Sequence, residues 1–110
     1  MKLTSLLIGV CGALALPPAQ AQSVDASGAE ALAKKSGCMK CHSVSAKKEG
    51  PSFKDTAAKY KGKADAEKAL TTFLTVNPKV KVDGKEELHD SPKTKNQAEI
   101  TNLVKYILSR

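Results

Sequence analysis

Apolar residues recur at helical spacing in four stretches of the chain and alternate with polar ones in a fifth. Ala29, Leu32 and Ala33 fall on one face of a short helix that stops at Ser36-Gly37. Phe53, Ala57 and Tyr60 space a second helix, which follows the Gly50-Pro51 punctuation and ends at Gly62. Asp65 is the N-cap of a third, which carries Ala66, Leu70, Phe73 and Leu74 and is closed by Asn77-Pro78. Lys79 to Lys85 then alternates polar and apolar positions up to Asp83-Gly84, the signal of a small hairpin whose return arm is Glu86-Glu87-Leu88. Beyond His89-Asp90-Ser91-Pro92, Asn96 and Glu99 resemble a capping box. Ile100, Leu103, Val104 and Ile107 form the clearest amphipathic stripe in the chain. Residues 22–27 read as a loose start and 43–50 as a polar turn. The pattern predicts an all-α domain with one hairpin, without internal repeats or low-complexity tracts.

The first 21 residues carry a different pattern. Met1-Lys2 is a positively charged start, Leu3 to Leu16 an apolar run, and Ala19-Gln20-Ala21 an A-x-A cleavage site after Pro17-Pro18. Residues 1–21 are expected to be a cleaved secretory signal, leaving 22–110 as the folded domain. The apolar run is shorter than the roughly 20 residues of a spanning helix, so no membrane insertion of the mature chain is expected. Lipid attachment at Cys11 is disfavoured by the bulky Val10 before it, where a small residue is wanted.

Composition narrows the chemistry. With 110 residues there is room for one domain, and 41% apolar with 26% charged residues is an ordinary globular balance. Only two His, two Met, three Cys and four aromatics are present, with no Trp. Without the leader the charge is 17 basic against 11 acidic, a net of +6. A domain this small buries little of its unfolded surface and needs a staple; a large apolar cofactor serves better than one disulfide.

Cys38-Met39-Lys40-Cys41-His42 is the motif of covalent c-type haem attachment. Two thiols three residues apart each reach one vinyl group, and the next residue projects its imidazole at the iron. Cys38 and Cys41 are therefore the expected thioethers and His42 the proximal iron ligand. Three other readings use the same residues: a redox-active thiol pair, which wants a βαβ context; a zinc site from Cys38, Cys41, His42 and His89, which asks adjacent residues to turn to one ion; and a structural disulfide. Export favours haem.

With that motif in place, the chain resembles the small bacterial class I c-type cytochromes. The resemblance runs from Gly28 to Ser45, through Gly50-Pro51-Ser52-Phe53-Lys54-Asp55 and Ala57-Ala58-Lys59-Tyr60, to Leu103-Val104-Lys105-Tyr106-Ile107-Leu108-Ser109. It implies a class I cytochrome c fold with crossed N- and C-terminal helices, Leu32 and Ala33 lying against Leu103 and Tyr106, around one haem c. It also implies that the Pro51 carbonyl meets the far nitrogen of His42 and fixes its tautomer; on residues alone Pro51 is equally a turn residue. The chain departs from the family at the sixth iron position, usually a Met from the loop before the last helix. Met1 lies in the leader and Met39 is trapped between the two cysteines. His89, in that loop, is the expected distal ligand, with a Lys ligand from Lys79, Lys81 or Lys93, or a five-coordinate iron, as rivals.

Bis-imidazole ligation implies a low potential, because Met ligation raises it, and leaves no open iron position for enzymatic chemistry. The expectation is therefore a periplasmic, monomeric one-electron carrier and not an enzyme. Alternatives are a haem-based small-ligand sensor in which His89 detaches, or the cytochrome subunit of a periplasmic dehydrogenase. Lys34-Lys35, Lys47-Lys48 and Lys59, Lys61, Lys63 read either as a solvated face or as a surface that steers redox partner proteins with acidic surfaces. Nucleic-acid binding is disfavoured by export and by the lack of aromatics among the basic residues.

Overall fold

A computed structural model describes residues 12, 14–16 and 23–110. The leader expected over 1–21 lies almost wholly outside the described residues. Among the described residues there are four helices, α1 (Ala26–Lys35), α2 (Phe53–Tyr60), α3 (Ala66–Thr75) and α4 (Gln97–Leu108), together with a hairpin of β1 (Lys79–Val82) and β2 (Lys85–Leu88). A single 3₁₀ turn, Cys38–Lys40, follows α1.

The starts and stops have local causes. The Asp25 side chain accepts from Gly28 N–H and opens α1 inside the stretch read as a loose start. That start is tied down further by Asn102 of α4, whose side chain both donates to Asp25 O at 2.8 Å and accepts from Asp25 N–H at 2.9 Å. Lys34 and Lys35 sit at the negative end of α1, and Gly37, at φ 76°, turns the chain away. Buried Ser52 caps α2 through Asp55 N–H. In the hairpin Lys79 pairs with Leu88 and Val82 with Lys85, and Asp83 and Gly84 both have positive φ, 49° and 77°, as a two-residue type I′ turn requires. The capping box forms only in half. Asn96 accepts from Ala98 N–H, but Glu99 takes the Thr94 hydroxyl instead of the Asn96 N–H, which goes to Thr94 Oγ1.

The buried stripe of α4, Ile100, Leu103, Val104 and Ile107, is the hub on which α1, α2 and α3 all pack. Ala29 and Ala33 keep the α1 surface thin, which lets the two helices approach until Leu103 and Val104 are fully buried. Leu32, Phe53, Leu70 and Leu74 complete the core. This is the mostly helical architecture with one small hairpin that the sequence predicts.

Tyr106 joins the core with its ring edge against Phe53, and its hydroxyl donates to Glu30 at 3.0 Å. Burial, then the hydrogen bond to the Glu30 carboxylate, pushes the phenol above its usual value. The folded state thus favours the neutral phenol. Its contribution is complete below the ordinary tyrosine pKa of about 10 and is lost as pH rises through the higher folded value. Urea midpoints of the holoprotein should fall through this alkaline range, and Tyr106→Phe should flatten that fall while costing about 1 kcal/mol at neutral pH.

Candidate functional site

The carbonyl of Cys38 accepts two N–H groups, from Cys41 at 3.2 Å and His42 at 2.9 Å. That double acceptance folds the CxxCH segment into one tight turn facing a cleft of about 340 Å³. The cleft is walled by apolar side chains from every neighbouring element, among them Tyr60 of α2, Leu70 and Phe73 of α3, Val80 and Leu88 of the hairpin and Ile107 of α4. Cys38, Cys41, His42 and His89 all border it.

The two thiols are free. Burial raises the pKa of Cys38; a hydrogen bond to Glu49 at 3.3 Å is the main cause raising that of Cys41. A redox-active pair needs a thiolate stabilised at neutral pH, so these thiols do not suit that reading, and they form no disulfide. Among the described residues no group of three or more His, Cys, Asp or Glu is arranged to hold a metal ion, which removes the zinc reading.

His42 is held on three sides. Its Nδ1 lies 2.6 Å from Pro51 O, and its ring stacks on Phe53 at 5.9 Å. A carbonyl only accepts, so Nδ1 carries the proton and Nε2 keeps its lone pair. Gly50 supplies the third side. A Cβ there would lie 2.5 Å from His42 Cε1 and 2.8 Å from Nδ1, closer than any side chain tolerates. The sequence shows Gly50 only as punctuation; its role as the floor under the imidazole depends on a contact across eight residues. Gly50 N–H donates to Cys41 O at 2.7 Å, and Phe53 N–H to Ser43 O at 2.9 Å, so the loop is clamped to the motif it supports.

His89 follows β2 directly. Its N–H donates to Pro78 O at 2.8 Å, which extends the hairpin ladder by one rung, and its ring meets Phe73 edge-on at 5.1 Å. It faces His42 with ring centroids 6.1 Å apart and planes tilted by 53°. Burial, then the neighbouring His42 ring, lowers its pKa, so the imidazole is neutral at pH 7, the form that binds metals. Its Nδ1 is buried with no hydrogen-bond partner in the chain. Of the three lysines, Lys81 borders the cleft and Lys79 and Lys93 do not. Met39 packs half-buried against the helical core.

These residues fit a haem. The cleft is apolar and open at the thiols, and 6.1 Å matches two metal–imidazole bonds of about 2 Å each plus the inner radius of each ring.

Comparison with known proteins agrees with this chemistry. Residues 26–110 match the cytochrome c family model. Cytochrome c-551 of Stutzerimonas stutzeri is 35% identical over 108 residues, covering 98% of this chain and 96% of that protein. Cytochrome c-552 of Hydrogenobacter thermophilus is 57% identical over a stretch of 37 residues, 34% of this chain. In that relative and in two cytochromes c-551 the aligned stretch spans 38%, 42% and 48% of the relative's length. The crystal structure of the class 1 cytochrome MtoD from Sideroxydans lithotrophicus ES-1 superposes with a TM-score of 0.75 at 45% identity, over 79% of this chain and 97% of that one. The chain therefore belongs to the class I cytochromes c, a family of small electron-transfer proteins with one covalent haem c.

Proposed function

We propose that the protein is a periplasmic one-electron carrier whose haem iron is held by His42 and His89. The observation that carries this reading is the pair of facing imidazoles 6.1 Å apart across an apolar cleft bordered by both thiols of the CxxCH turn. Cys38 and Cys41 would form the thioethers, and His42 would bind through Nε2, since Pro51 O holds the proton on Nδ1. His89 would supply the second imidazole. The haem supplies a one-electron change at its iron. Around it the chain has three tasks: to keep both axial donors fixed so that little rearranges between oxidation states, to exclude water with the α3 and hairpin walls, and to leave no iron position for substrate. A second imidazole in place of a thioether sets the potential low for this family.

Residues 1–21 are proposed as the export signal that precedes haem attachment, and among the described residues no helix is long and apolar enough to cross a membrane. The mature domain is read as a monomer that meets acidic partners through its lysines. Lys59 and Lys63 both lie over the Tyr60 ring, at 5.7 Å, and Tyr60 borders the cleft, so positive charge stands beside the cofactor. Electron-transfer rates with an acidic acceptor should fall about tenfold between roughly 10 mM and 0.15 M salt, measured by stopped flow; a rate indifferent to salt removes the steering role.

Electron paramagnetic resonance of the ferric holoprotein tests the ligation. A low-spin bis-imidazole signal at neutral pH is expected. A high-spin signal, or one unchanged in His89→Ala, overturns it.

A further inference from the structure

We propose that Asn77 is the positioning residue that keeps His89 on the iron, by supplying through its side chain the half of the last hairpin rung that Pro78 cannot make. This rests on the His42/His89 ligation proposed above. The ladder of β1 and β2 ends with Lys79 opposite Leu88, and His89 N–H to Pro78 O adds one hydrogen bond beyond it. Pro78 and His89 stand at a hydrogen-bonded position of the antiparallel ladder, so the reciprocal donor to His89 O would be the N–H of residue 78, which proline lacks. Asn77, in the left-handed region at φ 51°, lies next to it where the chain leaves α3 and turns into the hairpin. Its amide fills the place instead, with Nδ2 donating to His89 O at 2.9 Å. Ser91 Oγ donates to Asn77 Oδ1 at 3.1 Å and so fixes which end of the amide faces the carbonyl.

His89 is thereby gripped on both its backbone groups, N–H by Pro78 and C=O by Asn77. That grip matters because His89 Nδ1 meets no acceptor, in contrast to His42 Nδ1 on Pro51, so apart from the edge contact with Phe73 the ring is placed through its main chain. The proximal donor is oriented at its ring and the distal donor at its main chain. Asparagine suits both requirements at position 77, since it tolerates the left-handed conformation and carries a donor that reaches past its own backbone.

The test uses the full holoprotein and cyanide as the probe, since cyanide binds the ferric iron only after the distal ligand leaves. Asn77→Gly keeps the backbone conformation and removes the donor; Asn77→Asp keeps the size but presents an acceptor to His89 O. Both should keep the low-spin spectrum and bind cyanide about three- to tenfold faster, the scale of one net hydrogen bond. Ser91→Ala, which leaves the backbone untouched, should accelerate binding by less and covers the case in which the Asn77 variants fail to fold. A lower melting temperature with the wild-type cyanide rate in these variants assigns Asn77 a structural role only and overturns the proposal. His89→Ala separates the two levels: if it leaves the ferric spectrum unchanged the ligation fails, and the positioning role with it. If His89→Ala turns the protein high-spin while the Asn77 and Ser91 variants bind cyanide at the wild-type rate, only the positioning role fails.

Discussion

His89→Met should raise the reduction potential by roughly 0.1–0.3 V, within the range of about 0.8 V that axial ligands span. Imidazole donates to ferric iron more strongly than thioether does, so the exchange favours the reduced state. The hairpin neck that holds residue 89 is built from backbone groups and from Asn77 and Ser91, none of which the substitution touches. Methionine is unbranched and adaptable, so it fits beside Phe73 without repacking. Protein-film voltammetry of wild type and variant reads the shift directly, and appearance of the Met–iron absorption band in the ferric variant confirms the exchange. An unchanged potential with an unchanged spectrum would mean that residue 89 never reaches the iron.

The double variant Cys38→Ala/Cys41→Ala should lose its covalent haem and, in the apoprotein, its cooperative thermal transition. Among the described residues the buried core is a thin sheath around α4, built mainly from Ala, Leu, Val and Ile, with Phe53 and Tyr106 as its large rings. The walls on the far side of the cleft are only partly covered by the rest of the chain. Phe73 is 37% and Leu88 65% exposed although both border an apolar cleft. Domains of this size are marginal even with a complete core. Near-ultraviolet dichroism and a melting curve of the haem-free variant check this; a sharp transition close to that of the holoprotein would show that the helices around α4 suffice alone.

The parts of the fold that rest on local chemistry were legible in the sequence. Asp83-Gly84 between alternating residues admits few structures besides a type I′ hairpin, and the stripe of α4 can face only a core. The start of α1 was misread because Asp25 owes its order to Asn102, 77 residues away. Glu99 was assigned to a capping box on spacing, whereas Thr94 competes for it from outside the helix. For the site, scarcity pointed to both histidines, but nothing in their positions encodes a separation of 6.1 Å. Gly50 and Asn77 could not be singled out at all. A glycine beneath a ring and an amide standing in for a strand donor are defined by what approaches them, and each reads in sequence as ordinary turn chemistry.

The central place of α4 also sets an order of events. Each of the other described helices packs on it, and it follows them in the chain, so α1, α2 and α3 have no common surface to fold against until residues 97–108 join them. The pairing of α1 with α4 closes a loop of some seventy residues, the slow, non-local kind of contact. The cleft wall contributed by Ile107 therefore comes into place only with that long-range pairing, and the CxxCH turn is enclosed late rather than early in folding.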